Sequence, residues 1–400
     1  MKPILIKNLS RLHHFNAQGI FTEYNDISLM IDEKGCLKFL GKESNLPPLL
    51  SDVEIIQGNH LLGLPLFIDS HTHSLFAGNR AHEFLLKMQG MSYSEISAQG
   101  GGIIYTQQKT QQTGTEDLKN LLKQRLQKLR EQGVLGVEVK SGYGLTHKEE
   151  IRHLEIINEV KNELKGQMQI WVTYMGPHAV LKDTTKEKYL EEIINKTLPE
   201  IAQKKLAQFV DIFIDEGFFN VQDARNFFHK ATKLGFSLKA HIDEIKNLGA
   251  ARLCEEFTLT SVDHCLHTSL DEFKKLVQKK VSIVFLPMTS FYLNEKSPSM
   301  DDLRVLGINP AIALDYNPGS QPSLSVPLLM QMAFRRLRMQ EQEVLEAMTI
   351  NSLKAVGCSL DLWCLELGKP VRFSLFQAES IAELGYRYGE NLCKKIFFYS

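Results

Sequence analysis

The stretch Leu64-Pro65-Leu66-Phe67-Ile68-Asp69-Ser70-His71-Thr72-His73 constrains the fold more than any other. Four bulky apolar residues in so short a run (Leu64, Leu66, Phe67, Ile68) read as a strand buried on both faces. Side chains in a strand alternate faces, so His71 and His73 point the same way. Neutral imidazole is a common ligand for zinc and iron. A buried strand ending in two same-side histidines therefore suggests a metal at the mouth of a barrel. The spacing alone is a weak motif, matched as readily by two unrelated loop histidines. The rest of the chain has to supply the other ligands.

Length and composition set the frame for that search. The 400 residues accommodate one α/β barrel of roughly 250 residues plus a smaller domain. A formal net charge of −1 gives no reason to expect a nucleic acid or an anionic membrane as partner. The six cysteines (Cys36, Cys254, Cys265, Cys358, Cys364, Cys393) form no Cys-x-x-Cys pair, and scattered thiols fit a reducing compartment. Met1–Ile6 carries no signal-peptide pattern, and no apolar run reaches the ~20 residues of a membrane helix. The expectation is a soluble, cytoplasmic protein.

Along the chain, Ile27–Ile31 and Cys36–Leu40 flank the polar turn Asp32–Gly35, a hairpin signal. From about residue 64, strands alternate with helices. Thr115 can cap a helix carrying Leu118, Leu121, Leu122, Leu126 and Leu129. Ser269 and Glu272 form a capping box. Further strands are expected at Val134–Val139, Met168–Tyr174, Phe209–Ile214, Phe236–Ala240, Thr258–Val262, Val281–Leu286 and Pro310–Leu314. With the opening strand that makes eight, hence a closed (β/α)8 TIM-like barrel. Two helical stretches, Pro327–Leu337 and Gln342–Val356, follow, and then strand-like Arg372–Phe376. The expected division is 1–62 and 359–400 as the two parts of one small β-sandwich built from both termini, with 63–358 as the barrel.

In such a barrel the active site lies at the C-terminal ends of the strands. Five of the thirteen histidines fall there: His71, His73, His178, His241 and His264. His13, His14, His60, His147 and His229 read as solvated or incidental, and His82 and His267 as surface or structural. Glu138 and Lys140 break the apolar pattern of the second strand and read as a polar layer inside the barrel. Three histidines and a carboxylate make a ligand set for a hydrolytic metal. His71, His73, His241 and Asp315 are assigned to it. Glu244, His264 and Asp315 are the candidates for moving the proton of a metal-activated water.

These residues resemble the amidohydrolase superfamily: His-Thr-His after a strand, a later strand-end His, and an Asp closing the eighth strand. Within it, Asp69–Arg80, Gly100–Ile103, Val137–Leu145, His241–Glu244 and Asp315–Ser320 are similar to the imidazolonepropionase family. Departures occur at Leu64-Pro65-Leu66, at Cys265-Leu266-His267 and at Gly368–Phe373. The resemblance implies hydrolysis of the ring amide of 4-imidazolone-5-propanoate to N-formimidoyl-L-glutamate. It also implies one zinc or iron ion per subunit and a homodimer. Arg80, Tyr143, His178, Glu244, Asn317, Gly319 and Ser320 become the substrate contacts, with a hydroxyl from Tyr93. Arg80 suits a propanoate as a bidentate fork. His178 suits a carbonyl oxygen on which charge develops. The turn Asn317–Ser320 is expected to offer amides to a carboxylate. The rivals are another cyclic amidase or a deaminase on the same scaffold, and a non-catalytic metal-binding relative.

Overall fold

The computed structural model describes residues 2–48, 52–91, 95–96, 99–360 and 363–399. Tyr93 lies outside the described residues. The strands are β1 (Ile4–Phe15), β2 (Phe21–Ile31), β3 (Leu37–Gly41), β4 (Glu54–Gln57), β5 (Leu62–Pro65), β6 (Phe67–Asp69), β7 (Val134–Lys140) and β8 (Gln169–Tyr174). They continue with β9 (Phe209–Val210), β10 (Phe213–Ile214), β11 (Ser237–Ile242), β12 (Leu259–His264), β13 (Ser282–Phe285), β14 (Ala311–Ile312), β15 (Arg372–Phe376) and β16 (Cys393–Phe398).

Strands from both ends of the chain form one sheet, ordered β16-β15-β5-β1-β2-β3, with β4 beside β1. The expected hairpin is β2–β3, in which Met30 faces Phe39 and Asp32 Oδ1 accepts from the amides of Lys34 and Cys36. Strand β1 shifts register between Ile6 and Leu9, with Asn8 at φ 53°. Before the shift β1 pairs with β4, and after it with β5, so one strand serves both layers of a sandwich. Ile6, Leu9, Leu29, Val371, Phe373 and Phe397 pack between the layers. The bent strand also buries His13 and His14, which were expected to be solvated. His14 stacks on Tyr24 and His13 meets Phe21 edge-on.

The apolar run that opened the sequence reading is two strands rather than one. Pro65 ends β5, which pairs antiparallel with β15 in the terminal sheet. The barrel begins only at Phe67, whose amide donates to Gly133 O at 3.0 Å. The barrel sheet runs β6-β7-β8-β9-β11-β12-β13-β14, all parallel, with β10 beside β11. The expected fourth strand is split into β9 and β10 at Asp211-Ile212. Hydrogen bonds carry across the break: Asp211 N donates to Tyr174 O (2.8 Å) and His241 N to Ile212 O (3.1 Å). Closure between β14 and β6 comes from Asp315 N to His71 O and His73 N to Tyr316 O, each 3.0 Å. The amide of Leu314 also donates to Asp69 Oδ1 at 3.1 Å.

Amphipathic helices cover the barrel. In Thr115–Arg130, Leu118, Leu122, Leu126 and Leu129 are buried at helical spacing. Gly114 occupies its N-cap, so Thr115 is the first helical residue rather than the cap. The Ser269–Glu272 capping box forms as expected. The stretch Gln342–Val356 is two helices, Glu341–Met348 and Ile350–Ala355, separated by Thr349 at φ −126° and ψ −92°. Among the described residues, no helix is long and apolar enough to cross a membrane.

Candidate active site

Four nitrogen and oxygen atoms converge where the barrel strands end. Nε2 of His73 lies 3.3 Å from Nε2 of His71 and 3.4 Å from Nε2 of His241. Asp315 Oδ1 lies 3.3 Å from His71 Nε2 and 3.5 Å from His73 Nε2. A tetrahedral ion with ligands at about 2.0–2.1 Å needs donor separations of about 3.3–3.4 Å. These four separations fit a metal ion in both chemistry and spacing; the donors fall into two overlapping groups, His71, His73 and Asp315 in one and His71, His241 and His264 in the other. All five residues are buried. Burial is the main reason that His71, His73 and His241 stay well below the usual histidine range, so each ring is neutral. Burial likewise pushes the Asp315 carboxyl up to about 7, against the pull of the Thr289 hydroxyl. Thr289 Oγ1 donates to Asp315 Oδ2 at 2.6 Å, which orients Oδ1 toward the histidines.

A second layer fixes the imidazoles. His71 Nδ1 donates to Asp263 Oδ2 at 2.7 Å, and His241 Nδ1 to Asp211 Oδ1 at 3.1 Å. Each bond places the proton on Nδ1 and leaves the Nε2 lone pair facing the cluster. Lys140 Nζ lies 2.6 Å from Asp211 Oδ2 and 3.3 Å from Asp263 Oδ2. Glu138 accepts from Lys239 Nζ at 2.6 Å and from the Thr173 hydroxyl. Glu138 and Lys140 are therefore the polar layer their sequence pattern implies. Burial alone would depress Lys140, but Asp211, Glu138 and Asp263 outweigh it and raise its pKa. No spacing signal marks Asp211 or Asp263; the break after β9 and the position before His264 become informative only in three dimensions.

The cluster opens into a cavity of about 620 Å3. His73, His241, His264 and Asp315 line it, with His71 sealed beneath. Arg80, Tyr143, His178, Glu244, Asn317, Gly319 and Ser320 line it too, so all described substrate-side candidates meet in one place. Arg80 Nε donates to Glu83 Oε2 at 2.8 Å, which leaves its terminal nitrogens free to turn inward. His178 Nδ1 donates to Gly142 O at 2.9 Å. Burial holds its pKa down to about 4, so the neutral ring presents a bare Nε2 to the cavity.

Two further residues bring acid–base capacity. Glu244 Oε2 lies 3.6 Å from His264 Nε2. Burial, then the charges of Asp315, Asp215 and Glu295, hold Glu244 well above the usual carboxylate range. The loop carrying it is fixed by Asp215, which accepts from the amides of Glu244, Ile245 and Lys246. Backbone strain concentrates at the same mouth: Asp243, His264, Cys265 and Asp315 all have φ between 53° and 73°.

The turn Asn317–Ser320 differs from expectation. Asn317 Oδ1 accepts from the amides of Gly319 and Ser320, each at 2.8 Å. Those amides are taken up inside the turn rather than offered to a carboxylate. What the turn presents instead is a close approach: a Cβ on Gly319 would lie 2.1 Å from Arg80 Nη1. Sequence reasoning also missed Lys87 and Tyr292, which line the cavity from helices Ala81–Met88 and Pro287–Tyr292.

No family model matches the chain. It is 33% identical to the imidazolonepropionase of Clostridium tetani over 98% of this chain and 96% of that protein. It is 35% identical to the imidazolonepropionase of Shewanella baltica over 90% of this chain and 89% of that protein. Among solved structures, 5-methylcytosine deaminase from Klebsiella pneumoniae matches with a TM-score of 0.75 at 16% identity, covering 99% of this chain and 96% of that one. N-isopropylammelide isopropylaminohydrolase from Burkholderia multivorans matches at 0.72 and 16%, covering 100% and 97%. A third, a mutant of the atrazine chlorohydrolase TrzN from Arthrobacter aurescens solved with zinc and atraton, matches at 0.70 and 14%, covering 98% and 93%. The structures share the fold, and the sequence relatives carry the assignment: this chain belongs to the imidazolonepropionase family.

Proposed function

We propose that the protein hydrolyses the ring amide of 4-imidazolone-5-propanoate to N-formimidoyl-L-glutamate. The observation that carries this reading is the shared cavity: a buried three-histidine, one-carboxylate cluster and the Arg80 guanidinium open into the same space. His71, His73, His241 and Asp315 would hold one zinc or iron ion per subunit. Such an ion acidifies water and polarises a carbonyl.

The residues of the chain do the rest. Arg80 binds the propanoate with its terminal nitrogens, its Nε being held by Glu83. Tyr143 closes the cavity beside His178, their ring centroids 5.4 Å apart. Neutral His178 accepts a ring N–H at Nε2. That contact orients the ring; with its one proton held on Nδ1 by Gly142 O, the neutral His178 does not make the donation to the carbonyl oxygen expected from the sequence. The water oxygen adds to the ring carbonyl carbon, the ring C–N bond breaks, and the water's proton passes to the leaving nitrogen. Glu244, His264 and Asp315 are the groups placed to carry that proton. The dimer rests on the family resemblance, and the six free cysteines support a reducing, cytoplasmic setting.

The test is loss of the substrate's ultraviolet absorbance on adding zinc- or iron-loaded protein. Turnover with one ion per chain is expected. Protein that holds one ion per chain and leaves the absorbance unchanged would overturn the reading.

A further inference from the structure

The helix Ala81–Met88 brings two cations to the cavity. Arg80 is its N-cap, and Lys87 follows seven residues later, two turns along the same face. Both converge on Gly319. Arg80 Nη1 lies 2.1 Å from where a Gly319 Cβ would be, and Lys87 Nζ donates to Gly319 O at 3.3 Å. The Lys87 ammonium also sits over the Tyr292 ring, 5.4 Å from its centroid, which holds the long side chain in the cavity.

The two cations differ in charge balance. Arg80 is neutralised by the buried carboxylate of Glu83, whose other oxygen accepts from the Gly102 amide at 2.8 Å. Among the described residues, no carboxylate oxygen lies within 4.0 Å of Lys87 Nζ. Burial, then the neighbouring Arg80, depress Lys87 by more than the charge of Glu83 raises it. Two cations thus share the one carboxylate of Glu83, which leaves a net positive charge at this end of the cavity, and among the described residues the cation without an ion pair is Lys87. A carboxylate has lone pairs enough for a guanidinium and an ammonium at once.

We propose that Lys87 is a specificity-determining residue: with Arg80 it receives the side-chain carboxylate of the substrate across Gly319, and it supplies the net charge that selects an acid over a neutral isostere. The proposal deepens the reading of the site as a hydrolase of a carboxylate-bearing cyclic amide, and rests on it.

The test compares binding of imidazolepropanoate and imidazolepropanamide, which differ only in that charge, by calorimetry on metal-loaded protein. Wild type is expected to prefer the acid, and Lys87→Met to lose roughly tenfold to hundredfold of that preference. Lys87→Arg is expected to keep most of it. An unchanged thermal midpoint in each variant shows that the half-exposed helix still folds. Equal preference in Lys87→Met and wild type, or no preference in wild type, overturns the proposal. Preference lost in Lys87→Met by a protein that fails to turn over imidazolonepropanoate leaves Lys87 as an acid selector and overturns only the substrate assignment.

Discussion

Lys140 Nζ lies 2.6 Å from Asp211 Oδ2, with both side chains fully buried. The same ammonium reaches Asp263, and these two carboxylates hold the Nδ1 protons of His241 and His71. One lysine thus orients two of the four donor atoms. Lys140→Met keeps the volume and removes the charge, leaving Glu138, Asp211 and Asp263 to share Lys239. Zinc affinity is expected to fall roughly tenfold to hundredfold, the usual effect of disturbing residues behind a metal ligand. Stability is expected to drop by about 3–5 kcal/mol. Chelator competition on folded variant checks the first effect; unchanged affinity would show that Asp211 and Asp263 hold their orientation unaided.

Gly319→Ala is expected to act on substrate binding through space. The new methyl would fall 2.1 Å from Arg80 Nη1, so the guanidinium has to swing away from the turn. KM for imidazolonepropanoate should rise roughly tenfold or more while kcat changes little, the pattern of an interaction made equally in the ground and transition states. Arg80→Ala should give the same split. Steady-state kinetics on both variants checks this, and a Gly319→Ala enzyme with normal KM would detach Arg80 from the carboxylate.

The contrast between these residues shows what the sequence carries. The strand-end positions His71, His73, His241 and Asp315 were legible because a barrel places its site at a known end of each strand, and that rule works on local pattern. Asp263 was not, because its partner His71 lies 192 residues away and nothing near it announces the contact. Lys87 was hidden in a helix whose Phe84, Leu85 and Met88 are exposed, so its face gave no sign of a cavity. His13 and His14 read as solvated or incidental because they lie outside the strands expected from the sequence. The bend in β1 places neighbouring side chains against different layers. Asn317 was found, but its function within the turn depends on which amides its carbonyl reaches, a matter of ångströms rather than spacing.

Zinc should stabilise the wild-type fold and leave His241→Ala indifferent. Free ion at a thousandfold over its Kd adds roughly 4 kcal/mol through binding to the folded state alone. His241 supplies one of the donors around His73 Nε2, and its loss leaves two histidines and Asp315. Thermal melts of chelator-treated protein, with and without zinc, check this. A zinc-dependent rise in His241→Ala equal to that in wild type would move the ion to another donor set.

A stability change far from the cavity is expected from His153. Its ring is fully buried in the helix His147–Glu163, and neither nitrogen has a hydrogen-bond partner among the described residues. Burial, with a smaller push from Arg152, lowers its pKa to about 3. The unfolded chain, with a histidine near the ordinary value of about 6.5, therefore binds a proton that the folded chain refuses between those limits. Stability is whole above pH ~6.5 and falls on acidification by about 1.4 kcal/mol per pH unit for this one group. His13 and His14 shift in the same direction, also chiefly through burial, and contribute in wild type and variant alike. His153→Leu removes the proton uptake in an apolar site of similar size. Between pH 6.5 and pH 5 the variant should lose about 2 kcal/mol less than wild type in urea melts. Parallel losses would mean that the His153 ring finds a proton acceptor in the folded protein.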